Sequence, residues 1–183
     1  NYHQWPNQTS KIIPAYTTDT YQISMPEIGV TSINWGNMNN DEVAKLMKLC
    51  GCAVEMDYRL TGSGATSRMA KEAFVKFFDY KEVSINYIKK EGYSNDVWNR
   101  MMYDELVNGR PIFYSGISNE GGGHAFVLDG YDGSDYFHVN WGWEGYQDSF
   151  FLLSSLNGYT DDQDAIIGIE GKNEHVDHQY PYA

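Results

Sequence analysis

Residues 121–145 of this 183-residue chain read GGGHAFVLDGYDGSDYFHVNWGWEG, the most informative segment of the sequence. Two runs of alternating apolar and polar residues flank Asp132-Gly133, a pattern typical of a β-hairpin. Three glycines precede His124, which lets the backbone approach a ligand closely. We therefore interpret His124 as a candidate reactive group, although a histidine satisfied by a neighbour in the core would produce the same pattern.

The length of the hairpin loop determines what faces the imidazole. A two-residue turn at Asp132-Gly133 places His124 opposite Trp141. A three-residue loop over residues 131–133, with a left-handed last residue, places His124 opposite Asn140. An Asn side chain accepting from Nδ1–H would leave Nε2 free for chemistry, and an indole would shield the ring. The residues alone leave both registers open.

The rest of the chain shows helical periodicity first and strand alternation later. The pattern predicts helices over residues 41–49, 66–78 and 95–108, and strands over residues 53–58, 112–116, 124–129, 136–141, 149–153 and 165–169. In the first helix Asn40 is the predicted N-cap, and Val43, Leu46 and Met47 share one apolar stripe. This order predicts an α+β fold with a C-terminal antiparallel sheet, in one domain over residues 1–170 followed by a polar tail over 171–183.

Composition excludes several classes of function. The formal net charge is −12, and no basic stripe is available for nucleic-acid phosphates. No apolar run in the sequence approaches the ~20 residues of a membrane helix. We predict no cofactor and no metal site, because His175 and His178 lie in the acidic tail without a third ligand at zinc-like spacing.

Longer motifs resemble one known family. The segments GGHAFV (122–127), DGY (129–131), HVNWGW (138–143) and DSFF (148–151) resemble the histidine hairpin of streptopain- and interpain-type peptidases, which are papain-like cysteine peptidases. Residues 43–47, 54–58, 62–67 and 165–169 are similar to further family segments, so that the resemblance extends to about Glu170.

The resemblance implies a papain-like fold and a role for each matched residue. In this family His124 would be the general base, Asn140 would orient it, and Trp141 would cover their hydrogen bond, which favours the three-residue loop. The implied substrate cleft would be bordered by Met38, Ser63, Gly64, Ala65, Ser67, Gly122, Gly123 and Trp143. The implied partners are a peptide or protein substrate and a propeptide, in a secreted or surface enzyme made as a zymogen.

A nucleophilic cysteine is not evident in the sequence. Such a thiolate usually lies at a helix N-terminus, whereas Cys50 ends a predicted helix and Cys52 begins a predicted buried strand. The two are too close in sequence for a disulfide, and we expect free thiols. The opening residues 1–6 resemble the end of the family's nucleophile helix, so we expect the nucleophile to lie on a missing N-terminal segment. The alternatives are a catalytically dead binding module and one chain of a two-chain peptidase.

Overall fold

A computed structural model describes residues 11–172, which divide into two compact units between Glu82 and Val83. The predicted tail and the opening motif therefore lie almost entirely outside the described residues. The elements of the N-terminal unit are β1 (Tyr16–Thr17), β2 (Ser24–Met25), α1 (Asn40–Ala53) and α2 (Ser67–Phe77). Those of the C-terminal unit are β3 (Asn86–Lys89), α3 (Asn95–Val107), β4 (Ile112–Ile117), β5 (Gly123–Tyr131), β6 (Tyr136–Asn140), β7 (Ser149–Leu152) and β8 (Asp161–Ile167).

All three predicted helices are confirmed, and each begins at a side-chain cap. Thr66 accepts from Met69 N at the start of α2, and Ser94 accepts from Val97 N at the start of α3. The cap of α1 is Asn39 rather than the predicted Asn40, and its side chain accepts from two backbone amides of the first turn. These caps satisfy amides that a helix start leaves unpaired.

The predicted strand over residues 53–58 is wrong. Helix α1 continues to Ala53, and Asp57 makes only an isolated bridge to Gly64. A short apolar run is compatible with a buried helical turn as well as with a strand. Gly51 does not break α1; a Cβ on it would lie 2.1 Å from the hydroxyl of Tyr58, which occupies that space.

The apolar stripe of α1 is largely exposed. Val43 is 41% exposed and Met47 is 69% exposed. The helix instead buries Leu49 and Cys52 in the core of the N-terminal unit, where the half-buried Leu46 packs against them. The buried face of α1 differs from this stripe because the side chains that pack into the core lie in the last two turns of the helix.

The C-terminal unit is built on one six-stranded antiparallel sheet in the order β3-β8-β4-β5-β6-β7. Helix α3 buries Trp98 and Met102 against this sheet, and the indole N–H of Trp98 donates to the hydroxyl of Tyr114 on β4 at 2.7 Å. The chain is therefore α+β with an antiparallel sheet, as predicted.

Two strands of this sheet differ from the prediction. Strand β3 was not predicted, because four residues with the pattern NYIK carry little alternation, and it places one strand of the sheet before α3. Strand β8 begins at Asp161 rather than residue 165 and ends at Ile167. The backbone leaves the extended conformation at Gly168, with φ +67°. A side chain at this position would meet the carbonyl oxygen of Ser84, so glycine is required there.

Candidate active site

His124 lies near the start of β5, half-buried, and pairs with Gly116 on β4. The glycines before it form an exposed entrance: Gly121 and Gly122 have φ of +88° and +95°, and Gly123 is the first residue of the strand. Side chains could not adopt these dihedrals without strain. Because these three residues carry no side chains, nothing from the chain directly before His124 covers the imidazole.

The hairpin exists, but neither predicted register occurs. The loop has four residues, 132–135, and it is closed by the Asp132 carboxylate, which accepts from Ser134 N at 2.7 Å and Tyr136 N at 3.2 Å. A bulge at Asp129 then shifts the pairing again. As a result Asn140 pairs with Val127, three residues beyond His124.

A backbone carbonyl holds the imidazole. Nε2 of His124 lies 2.8 Å from the carbonyl oxygen of Trp141. A carbonyl can only accept, so Nε2 carries a proton in this contact. Among residues 11–172 no hydrogen bond to Nδ1 occurs, so Nδ1 is the nitrogen that a neutral ring would offer as an acceptor. This reverses the prediction, in which Nδ1 was bound and Nε2 was free.

Asn140 makes a different contact from the one predicted. Its side-chain oxygen accepts from Gly142 N at 2.9 Å, where the chain turns with φ +76° at that glycine. The predicted hydrogen bond from His124 to the Asn140 amide does not occur among the described residues, because the bulge moves Asn140 along the ladder. The role of Asn140 in orienting the base stays a prediction. Asn140 stabilises the turn that presents the Trp141 carbonyl to the imidazole.

Trp141 is fully buried in the core of the C-terminal unit. Its backbone N–H donates to the carboxylate of Asp148 at 2.9 Å, so both backbone groups of this residue are engaged. Within residues 11–172 its indole Nε1 has no hydrogen-bond partner. A buried donor left unpaired costs roughly 1–3 kcal/mol.

Aromatic rings surround the imidazole. Trp143 stacks on it with ring centroids 4.8 Å apart and planes inclined by 22°. Tyr159 and Phe126 lie at 5.6 Å and 6.0 Å, and Trp141 at 6.2 Å is nearly parallel to the imidazole. The ring is thus held in plane by stacking as well as by one hydrogen bond.

The other predicted cleft residues lie in the N-terminal unit. Met38 follows a 3₁₀ turn and packs half-buried against the core of that unit. Ser63 Oγ accepts from Arg59 N at 3.4 Å, and Gly64 pairs with Asp57. Ala65 is exposed, and Ser67 is the first residue of α2. Their role as a cleft border stays a prediction.

Neither cysteine has the environment of a nucleophile. Cys50 and Cys52 both lie in the last turns of α1, where the helix dipole disfavours an anion. Cys52 is buried, and this burial raises the pKa of its thiol. Both are free thiols, as expected.

Tyr159 and Gln163 were not identified from the sequence as site residues. Tyr159 follows Asn157-Gly158 and looks like an ordinary turn residue, and only the sheet brings it to His124.

Within the described part of the chain no cluster of three or more His, Cys, Asp or Glu side chains could hold a metal ion. None of the helices over residues 11–172 is long and apolar enough to cross a bilayer.

The amino-acid sequence is similar to those of known cysteine peptidases. A model of the "Peptidase C10 family" matches residues 1–151. Streptopain of Streptococcus pyogenes is 31% identical over 198 residues, covering 92% of this chain and 49% of streptopain. The "Thiol protease/hemagglutinin PrtT" of Porphyromonas gingivalis is 33% identical over 193 residues, covering 92% of this chain and 22% of that protein.

Solved structures give the same result. Active interpain A, a cysteine protease of Prevotella intermedia, matches with a TM-score of 0.79 and 28% identity over 91% of this chain and 77% of that chain. A prointerpain A fragment matches with a TM-score of 0.74 and 27% identity, covering 92% of this chain and 59% of that chain. The chain spans about half the length of the streptopain that it matches.

Proposed function

Since this chain belongs to the peptidase C10 family, we propose that it supplies the general base of a cysteine endopeptidase that cleaves protein substrates by acyl transfer. The observation that carries this proposal is the contact between His124 and the Trp141 carbonyl, which occupies Nε2 of a stacked, half-buried imidazole and leaves Nδ1 without a partner in the part of the chain that the structure describes. A ring fixed in this way suits repeated transfer of one proton at one nitrogen.

The proposed reaction has two stages. A thiolate attacks the substrate carbonyl carbon, and the protonated Nδ1 of His124 gives its proton to the leaving amine as the peptide bond breaks. Water then attacks the thioester carbonyl carbon while Nδ1 takes up a proton from it, and the C–S bond breaks, which releases the acid and restores the thiolate and the protonated imidazole. In this scheme His124 is the catalytic base, Trp141 orients it through its carbonyl, and Asn140 supports the turn that carries that carbonyl.

The thiolate is proposed to come from outside these 183 residues. This is supported by the position of both cysteines at the end of α1 and by the raised pKa of the Cys52 thiol. Met38, Ser63, Gly64, Ala65, Ser67, Gly122, Gly123 and Trp143 are proposed to border the substrate cleft of the complete enzyme. Secretion and synthesis as a zymogen are proposed from the relatives, one of which was solved as a pro form.

The decisive experiment is complementation with the segment encoded directly upstream of this chain in its gene. The joined protein is expected to cleave casein, and iodoacetamide is expected to abolish cleavage. His124→Ala should also abolish it. The matched control is His138→Ala, since His138 is another half-buried histidine of the same hairpin, paired with Asp129 at 2.5 Å. Cleavage that survives alkylation or His124→Ala overturns the proposal.

A catalytically dead peptide-binding module is the second candidate. It is favoured by one observation: within residues 11–172 neither thiol lies at a helix N-terminus. This candidate predicts that the joined protein binds an extended peptide, measured by fluorescence of the site tryptophans, without thiol-dependent cleavage. An upstream segment that lacks a cysteine would support it.

A further inference from the structure

The segment between β7 and β8 makes a tight turn beside the candidate base. Leu156 and Asn157 have φ of +25° and +49°, and Gly158 follows with φ +89°. Two consecutive residues with a side chain in this region store strain, which persists only where the surroundings impose it. Complete burial of Leu156 provides one such constraint.

A buried amide closes this turn. Gln163, only 3% exposed, donates from Nε2 to the carbonyl oxygen of Leu153 at 2.8 Å and to that of Tyr159 at 3.2 Å. One side chain therefore connects the two ends of the turn. An amide is needed because both targets are acceptors, which a carboxylate of the same shape could not satisfy.

A glycine lets the turn contact the sheet at the position of the base. Gly116 pairs with His124, and a Cβ on Gly116 would lie 2.5 Å from the carbonyl oxygen of Tyr159. The backbone of Tyr159 thus lies directly on β4, next to the strand that carries the imidazole. Any larger residue at position 116 has to push this backbone away.

The tyrosine ring then completes the environment of the imidazole. Its centroid lies 5.6 Å from that of the His124 ring and 5.7 Å from that of the Trp141 ring, so it packs beside the side chains of both residues whose hydrogen bond orients the base. No hydrogen bond to the Tyr159 hydroxyl occurs among the described residues. Its contribution is therefore that of a ring rather than of a hydroxyl.

We propose that Tyr159, clamped by Gln163 and seated on Gly116, is a positioning residue that keeps Nε2 of His124 on the Trp141 carbonyl. Trp143 stays stacked on the imidazole when Tyr159 is removed, but the side of the imidazole that Tyr159 covers is then open. We therefore expect the imidazole to rotate more freely and its proton to occupy either nitrogen. The catalytic consequence rests on the proposed function, whereas the orientation of the ring does not.

The test of orientation uses the 183-residue chain alone. Long-range ¹H–¹⁵N spectra at alkaline pH, where histidines are neutral, report which ring nitrogen carries the proton. The wild type is expected to show His124 in a single Nε2–H form. Tyr159→Ala and Gln163→Glu should produce a mixture of both tautomers, Tyr159→Phe should restore the single form, and Tyr136→Ala, an exposed tyrosine of β6, should leave it unchanged.

Gly116→Ala provides a second route if Tyr159→Ala does not fold. It displaces Tyr159 without removing its ring, and the same mixture of tautomers is expected. A dispersed spectrum shows which of the two variants, Tyr159→Ala or Gly116→Ala, is folded. If a folded variant still shows His124 in a single Nε2–H form, the inference is overturned.

The activity of the joined protein separates this inference from the proposed function. In the joined protein Tyr159→Ala should lower kcat by about tenfold with KM nearly constant. A misoriented base slows the chemical step and leaves substrate binding unchanged. If the joined protein has no thiol-dependent cleavage, the proposed function fails, and the tautomer spectra still decide the role of Tyr159. If kcat is unchanged while the spectra show a mixture, the positioning role in catalysis is overturned.

Discussion

Nε2 of His124 and the carbonyl oxygen of Trp141 are 2.8 Å apart, although the two residues are not partners in the β-ladder. The contact depends on a turn that follows β6 and returns a main-chain carbonyl to the imidazole. A main-chain acceptor has no rotamers of its own, so its position is set by the local backbone. The structure therefore places the orientation of the base under the control of the residues that shape this turn.

The first prediction concerns Asn140, which shapes that turn by accepting from Gly142 N. Asn140→Ala should destabilise the fold by about 1 kcal/mol, the usual net contribution of one hydrogen bond. Asn140→Asp should be nearly neutral, since a carboxylate oxygen can accept from the same amide. Urea unfolding monitored by circular dichroism measures both changes. Equal destabilisation by the two variants would contradict the assigned contact.

The second prediction concerns the space beside Gly116. Gly116→Ala should destabilise the fold by about 1–3 kcal/mol through overpacking against the Tyr159 carbonyl. Gly123→Ala is the matched control on the neighbouring strand, because the nearest atom to its added Cβ would be 3.8 Å away, an ordinary contact. Urea unfolding of both variants is the measurement. A cost for Gly123→Ala as large as that for Gly116→Ala would show that close packing is not the cause.

The hairpin and its histidine could be predicted from the sequence, but the register could not. Alternation identifies two strands, whereas the segment YDGSD permits loops of two, three or four residues. The choice is made by the Asp132 carboxylate, which closes the longest of these loops, and by the bulge at Asp129. One extra residue in a strand exchanges its two faces, so each small irregularity changes which residue meets the imidazole.

Helices α2 and α3 could be predicted because their signals are local in sequence. Thr66 and Ser94 are N-caps that can be identified from the sequence alone. Contacts across the sheet could not be predicted in this way. Tyr159 is 35 positions beyond His124 in the sequence, and nothing local indicates that Gly116 admits its backbone. The extension of α1 to Ala53 depends in the same way on Tyr58, which packs over Gly51 after the chain has turned back.

The third prediction compares two arginines of the C-terminal unit. Arg110 binds both carboxylate oxygens of the largely buried Glu105 at 2.7 Å and 2.9 Å, and Glu105 also accepts from Gly168 N at 2.8 Å. Arg110→Met leaves this buried carboxylate without its cation and should cost about 3 kcal/mol. Arg100→Met is the control, because Arg100 pairs with Asp104 in solvent.

The control substitution should cost less than about 0.5 kcal/mol, the usual range for an exposed ion pair within one helix. Chemical denaturation of both variants at the same ionic strength is the measurement. Similar losses in the free energy of unfolding for Arg110→Met and Arg100→Met would mean that burial of Glu105 does not make the fold more dependent on its arginine partner.

The last prediction concerns acid stability and Asp57. Hydrogen bonds from the backbone N–H and hydroxyl of Thr20, together with Arg59, lower the pKa of Asp57 to about 2. Since the ordinary Asp pKa is about 3.9, this carboxylate stabilises the fold fully above that pH, and the contribution disappears as the pH falls towards 2. Asp57→Asn should therefore lower Tm at pH 6, and the difference from wild type should shrink between pH 4 and pH 2. Asp19→Asn, an exposed change next to Thr20, should have a smaller effect at pH 6, and a constant Tm difference for Asp57→Asn across this range would refute the assignment.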